Sequence, residues 1–593
     1  MSTPDKQPDT SAAWALAYRN TLSCLVEARG ADGLWTGRLS SSPLATAVSI
    51  TALHIANAPG HHAAIQNGLT WLAEHQNPDG GWGDTDNRDP SNLSTTLLAL
   101  AAIHAVDRAG RFASHTQNAR TWLKRRLNYT RQSDLAGAVY AAYGDDRTFA
   151  VPILAHCTLA GLFDEAPDPW QLVKPLPFEL ARLPRALYRV LNLTVVSYAL
   201  PALIAVGQAK FHFDPPKNTL LRAVRRTACG PTLDMLGTLQ PTNGGFLEAP
   251  PLTAFVTMSL AAIGHTQHPV AQKGLAFLTA AQRPDGSWPI DTNLSTWLST
   301  HAIKLLAPDH LTDDDRRALA DALITRQYKT VHPFTGAAAG GWGWTPLPGA
   351  VPDADDTAGA LAALYRLDAQ SDNVRRAAAA GLIWLLDMQN ADGGIPTFCR
   401  GWGKLEFDRS CADITAHALE AFGLWRDHVP AAMQTRIDRA IPRALRYLYA
   451  HQRPDGAWLP LWFGDPDAPD KANPVYGTAR VLSVLAEMDT SRFPILKMMI
   501  PPAADYLRSV QHSDGGWGSI EQTALATAAL IEAQKEKSDA IDAGLNWLVE
   551  KTHNGTDFCP APIGLYFAKL WYTEQLYPVL FTLQALQAAR SRI

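Results

Sequence analysis

Three aspartates, Asp353, Asp355 and Asp356, lie within four successive positions of the sequence DADDTA. They follow Pro352 and precede an Ala-rich run, GALAALYRL, that favours a helix. Carboxyl groups this close do not all ionise readily, so at least one tends to keep its proton. The N-terminus of the predicted helix supplies free N–H groups and positive potential that stabilise the others as anions. The cluster can therefore hold a strong proton donor.

Size and composition limit the classes of function. The chain has 593 residues, too many for one core, which predicts two or more domains. A net charge of −4 and a pI near 6.5 lack the basic balance of nucleic-acid-binding proteins, so we expect no nucleic-acid partner. Six cysteines without C-x-x-C pairs indicate neither a zinc motif nor a disulfide framework, and fit a reducing compartment. The N-terminal residues do not have the pattern of a signal peptide.

A recurring phrase accounts for much of the tryptophan. Each copy has a predicted helix that ends in an aromatic residue and Leu, then a Gln, a turn such as P-D-G, and a closing aromatic residue. The clearest copies are residues 68–84, 273–288, 443–458 and 503–518. We expect the Gln to cap backbone groups of a neighbouring helix. The closing tryptophans are assigned to structure: Trp82, Trp288, Trp458 and Trp517.

The repeats also predict the fold. A second apolar helical stretch follows each copy, as in residues 94–106 and 523–534, and strand signals are scarce. Helix pairs that recur about every 40 to 60 residues indicate units that bury one another's faces. Because the units are few, closed rings fit better than an open solenoid. We therefore predict an all-α fold of two α/α barrels (toroids), built from helix-hairpin repeats with Q-x-x-x-G-x-W turns.

Residues 168–218 interrupt the repeats with a Pro-rich segment followed by an apolar run, LNLTVVSYALPALIAVG. Polar residues and a Pro within this run favour a buried helix over a membrane span. The alternative is an apolar surface within residues 184–226 that contacts one leaflet of a membrane.

Together these motifs resemble a known family. The D-x-D-D-T-A element and the repeated Q-x-x-x-G-x-W phrases are similar to class II triterpene cyclases of the squalene–hopene cyclase type, over nearly the whole chain. The stretches PLPFELARLP, DITAH and NPVYGT also resemble family landmarks. The resemblance implies that residues 1–28 and 290–593 form an α6/α6 barrel carrying the acid motif. Residues 29–289 would form the second barrel, with a large apolar cavity between the two.

The resemblance further implies an enzyme that cyclises a linear polyprene, squalene or a similar C30 triterpene. Asp355 would protonate a terminal alkene, and a carbocation would then close successive rings. Asp353 and Asp356 would keep Asp355 in its donating geometry. His417 would hydrogen-bond the acid and, if cationic, strengthen it. Asp413, at position i−4 from His417, would hold the imidazole charged.

Developing cations need electron-rich walls without nucleophiles, which aromatic faces provide. The resemblance assigns this role to five residues: Trp344, Trp462, Tyr476, Trp297 and Tyr566. Tyr476 would also order a water that reprotonates the acid, and Tyr566 would face late cations at the far end of the cavity.

Three segments depart from the family pattern. Residues 393–413 are shorter than the usual cavity-lining stretch, and residues 465–472 are an insertion. Residues 39–48 lack the glutamate that hopene cyclases usually carry near the acid. All three are expected to shape the cavity or the proton route, so they leave the product skeleton and the terminating step open.

Two alternatives stay open. One is a class II cyclase of another linear terpenoid, either a C20 diphosphate or a longer polyprene. The other is a zinc-dependent protein resembling the prenyltransferase β-subunit, with ligands drawn from Cys399, Cys411, Asp408, Asp413 and His417.

For the cyclase we expect no cofactor and no metal. Its partners would be the linear isoprenoid substrate and a membrane lipid surface, bound monotopically on the cytoplasmic side. A homodimer is one oligomeric state to test.

Overall fold

The computed structural model describes the chain in nine segments, residues 10–57, 59–87, 89–144, 147–183, 200–307, 309–399, 408–534, 538–564 and 570–590. Its elements are mostly α-helices, which confirms the predicted all-α class. The first eleven described helices are α1 (Thr10–Glu27), α2 (Pro43–Ala56), α3 (His62–Glu74), α4 (Leu93–Val106), α5 (Ala113–Leu127), α6 (Gln132–Tyr143), α7 (Arg147–Leu159), α8 (Leu200–Phe213), α9 (Thr219–Leu239), α10 (Pro250–Ala262) and α11 (Pro269–Ala281).

The helices that follow are α12 (Ser295–Leu306), α13 (Asp313–Arg326), α14 (Ala354–Asp368), α15 (Asp372–Met388), α16 (Ala412–Trp425), α17 (Ala431–His451), α18 (Pro474–Glu487), α19 (Leu496–Ser509), α20 (Ile520–Ala533), α21 (Asp539–Lys551) and α22 (Tyr577–Arg590). Two antiparallel strand pairs join β1 (Ile395–Pro396) to β2 (Ser410–Cys411), and β3 (Ile563–Gly564) to β4 (Trp571–Tyr572). Short 3-10 turns occupy Pro169–Leu172, Phe178–Arg182, Phe246–Glu248 and Arg426–His428.

Helix contacts define two closed rings. Among the described helices α2, α4, α7, α8 and α10 each contact the next, and α10 closes back onto α2. The second ring runs through α12, α14, α16, α18, α20 and α22, and α22 closes onto α12. Outer helices pack against each inner ring, and α1 packs on α22 of the second ring. The exact domain boundaries stay a prediction.

Inner and outer helices differ in how much of their surface is apolar. In α4, every residue from Ser94 to Ile103 is buried, as expected of a helix surrounded by others. In α17, the buried residues recur every three or four positions, as in Ile437, Ala440 and Ile441, and the other face is polar.

The repeat phrases connect these layers. Trp82 is fully buried, and its indole Nε1 donates to the carbonyl oxygen of Leu72 at 2.8 Å. The amide of Gln76 donates to the carbonyls of Gly80 and of His115, which lies in the first turn of α5. The same Trp-to-Leu bond recurs in the other clear copies: Trp288 to Leu278, Trp458 to Leu448 and Trp517 to Leu507. The repeats therefore clamp successive hairpins together, as the sequence predicts.

The predicted apolar surface lies only partly within the described residues, because residues 184–199 fall outside them. Beyond that gap, α8 is largely buried in the first ring. Three large apolar side chains near the start of α9 face solvent, with exposed fractions of 42% for Phe213, 74% for Leu220 and 43% for Val224. In the part of the chain that the structure describes, no helix combines the length and the hydropathy of a membrane span.

Candidate active site

Residues of both rings line a cavity of about 270 Å³. The three aspartates of the DADD motif form part of its wall, together with many aromatic side chains. Three of the predicted aromatic residues are among them, Trp297, Trp344 and Trp462. Sequence reasoning missed six others: Phe149, Phe255, Phe398, Phe463, Tyr572 and Tyr577.

The acid motif sits at the start of α14, as predicted. Asp353 is the N-cap residue, and its Oδ1 accepts a hydrogen bond from the backbone N–H of Asp356 at 2.8 Å. The backbone N–H of Asp353 in turn donates to the carbonyl of Trp342 at 2.9 Å. The N–H of Ala354 donates to the carbonyl of Thr397. The motif is thereby fixed to two neighbouring loops as well as to its own helix.

Asp355 is the member of the motif that meets His417. Its Oδ1 lies 2.6 Å from Nδ1 of the imidazole, which projects from α16. The His417 side chain is only 2% exposed, whereas that of Asp355 is 14% exposed and lines the cavity. The hydrogen bond therefore fixes one oxygen of Asp355 from behind while its carboxyl faces the cavity.

The other two carboxyls of the motif are more deeply buried. Burial raises the pKa of Asp353 to about 7, with a further contribution from the negative charge of Asp355. Burial also raises the pKa of Asp356 well above its usual value, and the charges of Asp353 and Asp355 add to this effect. Near neutral pH the cluster therefore retains protons, as the crowding of its carboxyls predicts.

The structure gives Asp413 and His417 different partners. Asp413 accepts a hydrogen bond from the thiol of Cys411 at 2.5 Å, and burial raises its pKa to about 6. On the other side of the His417 ring lies the carboxylate of Glu420, whose Oε2 is 3.8 Å from Nε2 of the imidazole. Glu420 also forms an ion pair with Lys304 on α12, at 2.8 Å. The contacts described for His417 thus involve Asp355 and Glu420, and they do not include the predicted one with Asp413.

The predicted aromatic residues take distinct places around the acid. Trp297 lies edge-on to His417, with ring centroids 6.1 Å apart. Trp344 directs its indole Nε1 toward Oδ1 of Asp291 at 3.4 Å, and Trp462 donates to Oγ1 of Thr397 at 2.7 Å. These three line the cavity.

The two predicted tyrosines differ from the tryptophans. Tyr476 is buried near the start of α18, behind the cavity wall, where the loss of solvent raises its pKa well above the usual value. The charges of Arg480, Asp413 and Asp355 act on it there. Tyr566 lies outside the described residues.

The family of this chain follows from a sequence comparison. A model of the squalene-hopene cyclase C-terminal domain matches residues 8–93 and 327–591, more than half of the chain. The chain belongs to the squalene–hopene cyclase family. The resemblance that its motifs carry, to class II terpene cyclases of the squalene–hopene cyclase type, is thereby confirmed at the level of the family.

Individual relatives cover the chain to different extents. The squalene–hopene cyclase of Alicyclobacillus acidocaldarius is 25% identical over 623 residues, with 90% of this chain and 91% of the relative covered. The copalyl diphosphate synthase of Streptomyces cyslabdanicus is 25% identical over 558 residues, covering 88% of each. The solved structure of ent-copalyl diphosphate synthase from Streptomyces platensis shares the fold, with a TM-score of 0.52, 20% identity and coverage of 99% and 100%. The chain matches only part of five other curated relatives, covering 24% to 56% of their length.

The described residues proposed for zinc are not grouped as a metal site would require. Across the described residues, which include all five candidates, no three His, Cys, Asp or Glu side chains are grouped to hold a metal ion. Burial raises the pKa of Cys411 well above its usual value, with a further contribution from Asp413, so this thiol is protonated. A zinc-binding thiol would instead be a thiolate.

Asp291 is a cavity carboxyl that sequence reasoning missed. It follows Trp288, Pro289 and Ile290 in a loop that leads into α12, where a lone aspartate is typical of an ordinary turn. Burial raises its pKa to about 8, and the nearby Glu248 carboxylate adds to this. No spacing in the sequence singles it out, because Glu248 and Trp344 approach it from separate segments.

Proposed function

We propose that this protein cyclises a linear polyprene, squalene or a squalene-like C30 triterpene, by Asp355-mediated protonation of a terminal alkene. One observation carries the proposal: Asp355 faces the cavity while His417 holds its Oδ1 from behind at 2.6 Å. This arrangement keeps a carboxylic acid directed at a largely apolar wall that includes many aromatic side chains, which is where protonation of an unactivated alkene can succeed.

In the proposed reaction, the carboxyl proton of Asp355 passes to the terminal alkene carbon. The π electrons form the new C–H bond, and Asp355 becomes a carboxylate hydrogen-bonded to His417. The tertiary cation left on the substrate is attacked by the next alkene, and the positive charge moves along the cavity as rings close. Trp297, which lies edge-on to His417, and Trp344 line the same cavity as Asp355 and would stabilise early cations through their ring faces.

The composition of the cavity wall favours an uncharged substrate over one that carries a diphosphate group. None of the described residues that line it is Lys, Arg or His, the side chains that would pair with a diphosphate group. The similarity over 90% of the chain to a protein named squalene–hopene cyclase points the same way. The C20 diphosphate stays the alternative, since a relative named copalyl diphosphate synthase matches almost as much of the chain.

The experiment offers detergent-solubilised protein squalene and geranylgeranyl diphosphate in parallel, with products identified by mass spectrometry. We expect polycyclic isomers of squalene from the native protein and none from Asp355→Asn, provided that both have the same circular dichroism. Conversion of the diphosphate alone would transfer the proposal to a C20 substrate. Undiminished cyclisation by Asp355→Asn would refute the assigned acid.

We also propose that the protein associates monotopically with the cytoplasmic face of a membrane. The exposed Phe213, Leu220 and Val224, which lie within twelve residues of one another in the sequence, support this, because exposed apolar side chains favour contact with lipid. Flotation with phospholipid vesicles tests it, and the double variant Leu220→Glu, Val224→Glu should bind less. Equal flotation of the native protein and the double variant would contradict the proposed membrane contact.

The homodimer expected from the sequence is a separate proposal. Sedimentation of the detergent-solubilised protein tests it.

A further inference from the structure

His417 has carboxyl groups on both sides of its ring. Nδ1 lies 2.6 Å from Oδ1 of Asp355, and Nε2 lies 3.8 Å from Oε2 of Glu420, three residues later on α16. The Nε2 atom is buried and has no hydrogen-bond partner among the described residues. Glu420 therefore acts on the imidazole through its charge rather than through a direct hydrogen bond.

The charge of Glu420 is itself balanced by Lys304. The ammonium Nζ of Lys304, on α12, which lies on the other side of α14 in the ring, is 2.8 Å from the same Oε2 atom. Neither Glu420 nor Lys304 lines the cavity, and their side chains are 13% and 20% exposed. From the cavity outward, the order is Asp355, His417, Glu420 and Lys304.

Glu420 is ionised in this arrangement. Burial would raise its pKa, but the charges of Lys304 and His417 outweigh burial and lower the pKa to about 2. Its carboxylate favours the protonated form of His417, whereas the Lys304 ammonium disfavours that form. Both members of one ion pair thus act on the same imidazole with opposite signs.

Other groups also face this part of the barrel. Burial lowers the pKa of His417, and the hydrogen bond to Asp355 opposes that effect. His301 on α12 has its ring centroid 6.4 Å from that of His417, and burial lowers its pKa well below the usual value, so it is neutral. Arg480 on α18 adds a positive charge that acts on Glu420, Asp355 and Asp413.

We propose that Glu420 and Lys304 are positioning residues that set the protonation of His417 in opposite directions, and through it the strength of Asp355 as an acid. The inference rests on the proposed function. A protonated imidazole at Nδ1 withdraws electron density from Asp355 and makes its remaining proton easier to transfer. Glu420 would promote that state, and Lys304 would limit it.

The test is the pH dependence of kcat/KM for cyclisation by Glu420→Gln and Lys304→Met. Both substitutions break the same ion pair, so a purely structural role would affect both variants alike. We expect the basic limb of the profile to move to lower pH in Glu420→Gln and to higher pH in Lys304→Met, each by about one unit. Shifts in the same direction, or none in either variant, would overturn the proposal.

Glu487→Gln is the matched control, because Glu487 ends α18 and interacts through its charge with Glu420 and Lys304, whereas the carboxyl groups described beside His417 are those of Asp355 and Glu420. Its profile should match that of the native protein. If either variant fails to fold, Glu420→Asp is used as well. Its shorter side chain keeps the negative charge but places it farther from His417, so we expect a smaller shift of the basic limb to lower pH. The His417 imidazole can also be titrated by ¹⁵N NMR without substrate. Opposite shifts there would support the proposal even if squalene proved to be the wrong substrate.

Discussion

Asp355 and His417 are separated by 62 residues along the chain, yet Oδ1 and Nδ1 lie 2.6 Å apart. The contact exists because α14 and α16 are neighbours in the second ring. It leaves Asp355 as the one carboxyl of its motif that is both open to the cavity and bonded to the imidazole. The division of roles within the DADD cluster therefore depends on the packing of these two helices.

Replacing His417 by Gln should lower kcat by roughly 10²-fold, because the amide can hydrogen-bond Asp355 but cannot carry the positive charge that strengthens the acid. The distribution of products should not change, since the cavity wall is untouched. Steady-state kinetics with product profiling measures both quantities. A changed product pattern at an unchanged rate would instead place His417 among the residues that guide the cation.

Trp344→Leu should slow cyclisation by about tenfold and raise the share of early-terminated products, because an aromatic face near the acid is lost. Gas chromatography of the products checks this. Trp458→Phe is the control: Trp458 is fully buried in a repeat and bonds to the carbonyl of Leu448. It should lower the melting temperature and leave the product pattern intact. If both variants give the native products, Trp344 does not stabilise a cation on the reaction path.

The sequence motifs predicted the position of the aspartate cluster better than they predicted the residues around it. The crowding of Asp353, Asp355 and Asp356 and the resemblance of DITAH predicted a contact between Asp355 and His417, and the two side chains lie beside each other. The spacing of Glu420, three residues after His417, could have suggested contact on one helix face. Its pairing with Lys304 could not be predicted, since it depends on how the ring brings α12 to α16.

The cavity wall was predictable only in part. Trp297, Trp344 and Trp462 follow repeats or recognisable motifs, but Phe149 and Phe255 come from apolar helices of the first ring. In a helix that is apolar on nearly every face, a phenylalanine directed at a cavity has the same sequence context as one packed in the core. The choice between them needs the arrangement of both rings.

The protein should become less stable as pH rises from about 5 to about 8. Burial raises the pKa of several carboxyls in the folded state, to about 7 for Asp84, Asp353, Glu521 and Glu574 and to about 8 for Asp291. The unfolded chain releases these protons near pH 4, so across this range the folded state binds more protons and loses stability as pH increases.

Melting temperatures measured across this pH range test the expectation. Asp291→Asn provides the comparison, because its amide has nearly the same shape and does not ionise. The variant should lose less stability than the native protein between about pH 6 and pH 8, where Asp291 still holds its proton in the folded state but is ionised in the unfolded chain. A native melting temperature that rises over this range would show that these carboxyls are ionised when folded.

Gly456→Ala should destabilise the protein by about 1 to 3 kcal/mol, because Gly456 has a φ of +91° in its repeat turn and an added Cβ would collide with the carbonyl oxygen of Pro502. Gly423 is the matched control, since it lies exposed within α16 with no heavy atom within 4 Å of an added Cβ. Gly423→Ala should stabilise the protein by about 0.5 to 1 kcal/mol, as alanine favours the helix. Denaturant unfolding measures both changes. Equal effects would mean that the turn relaxes around the new methyl group, and that the repeat does not hold the two hairpins rigidly.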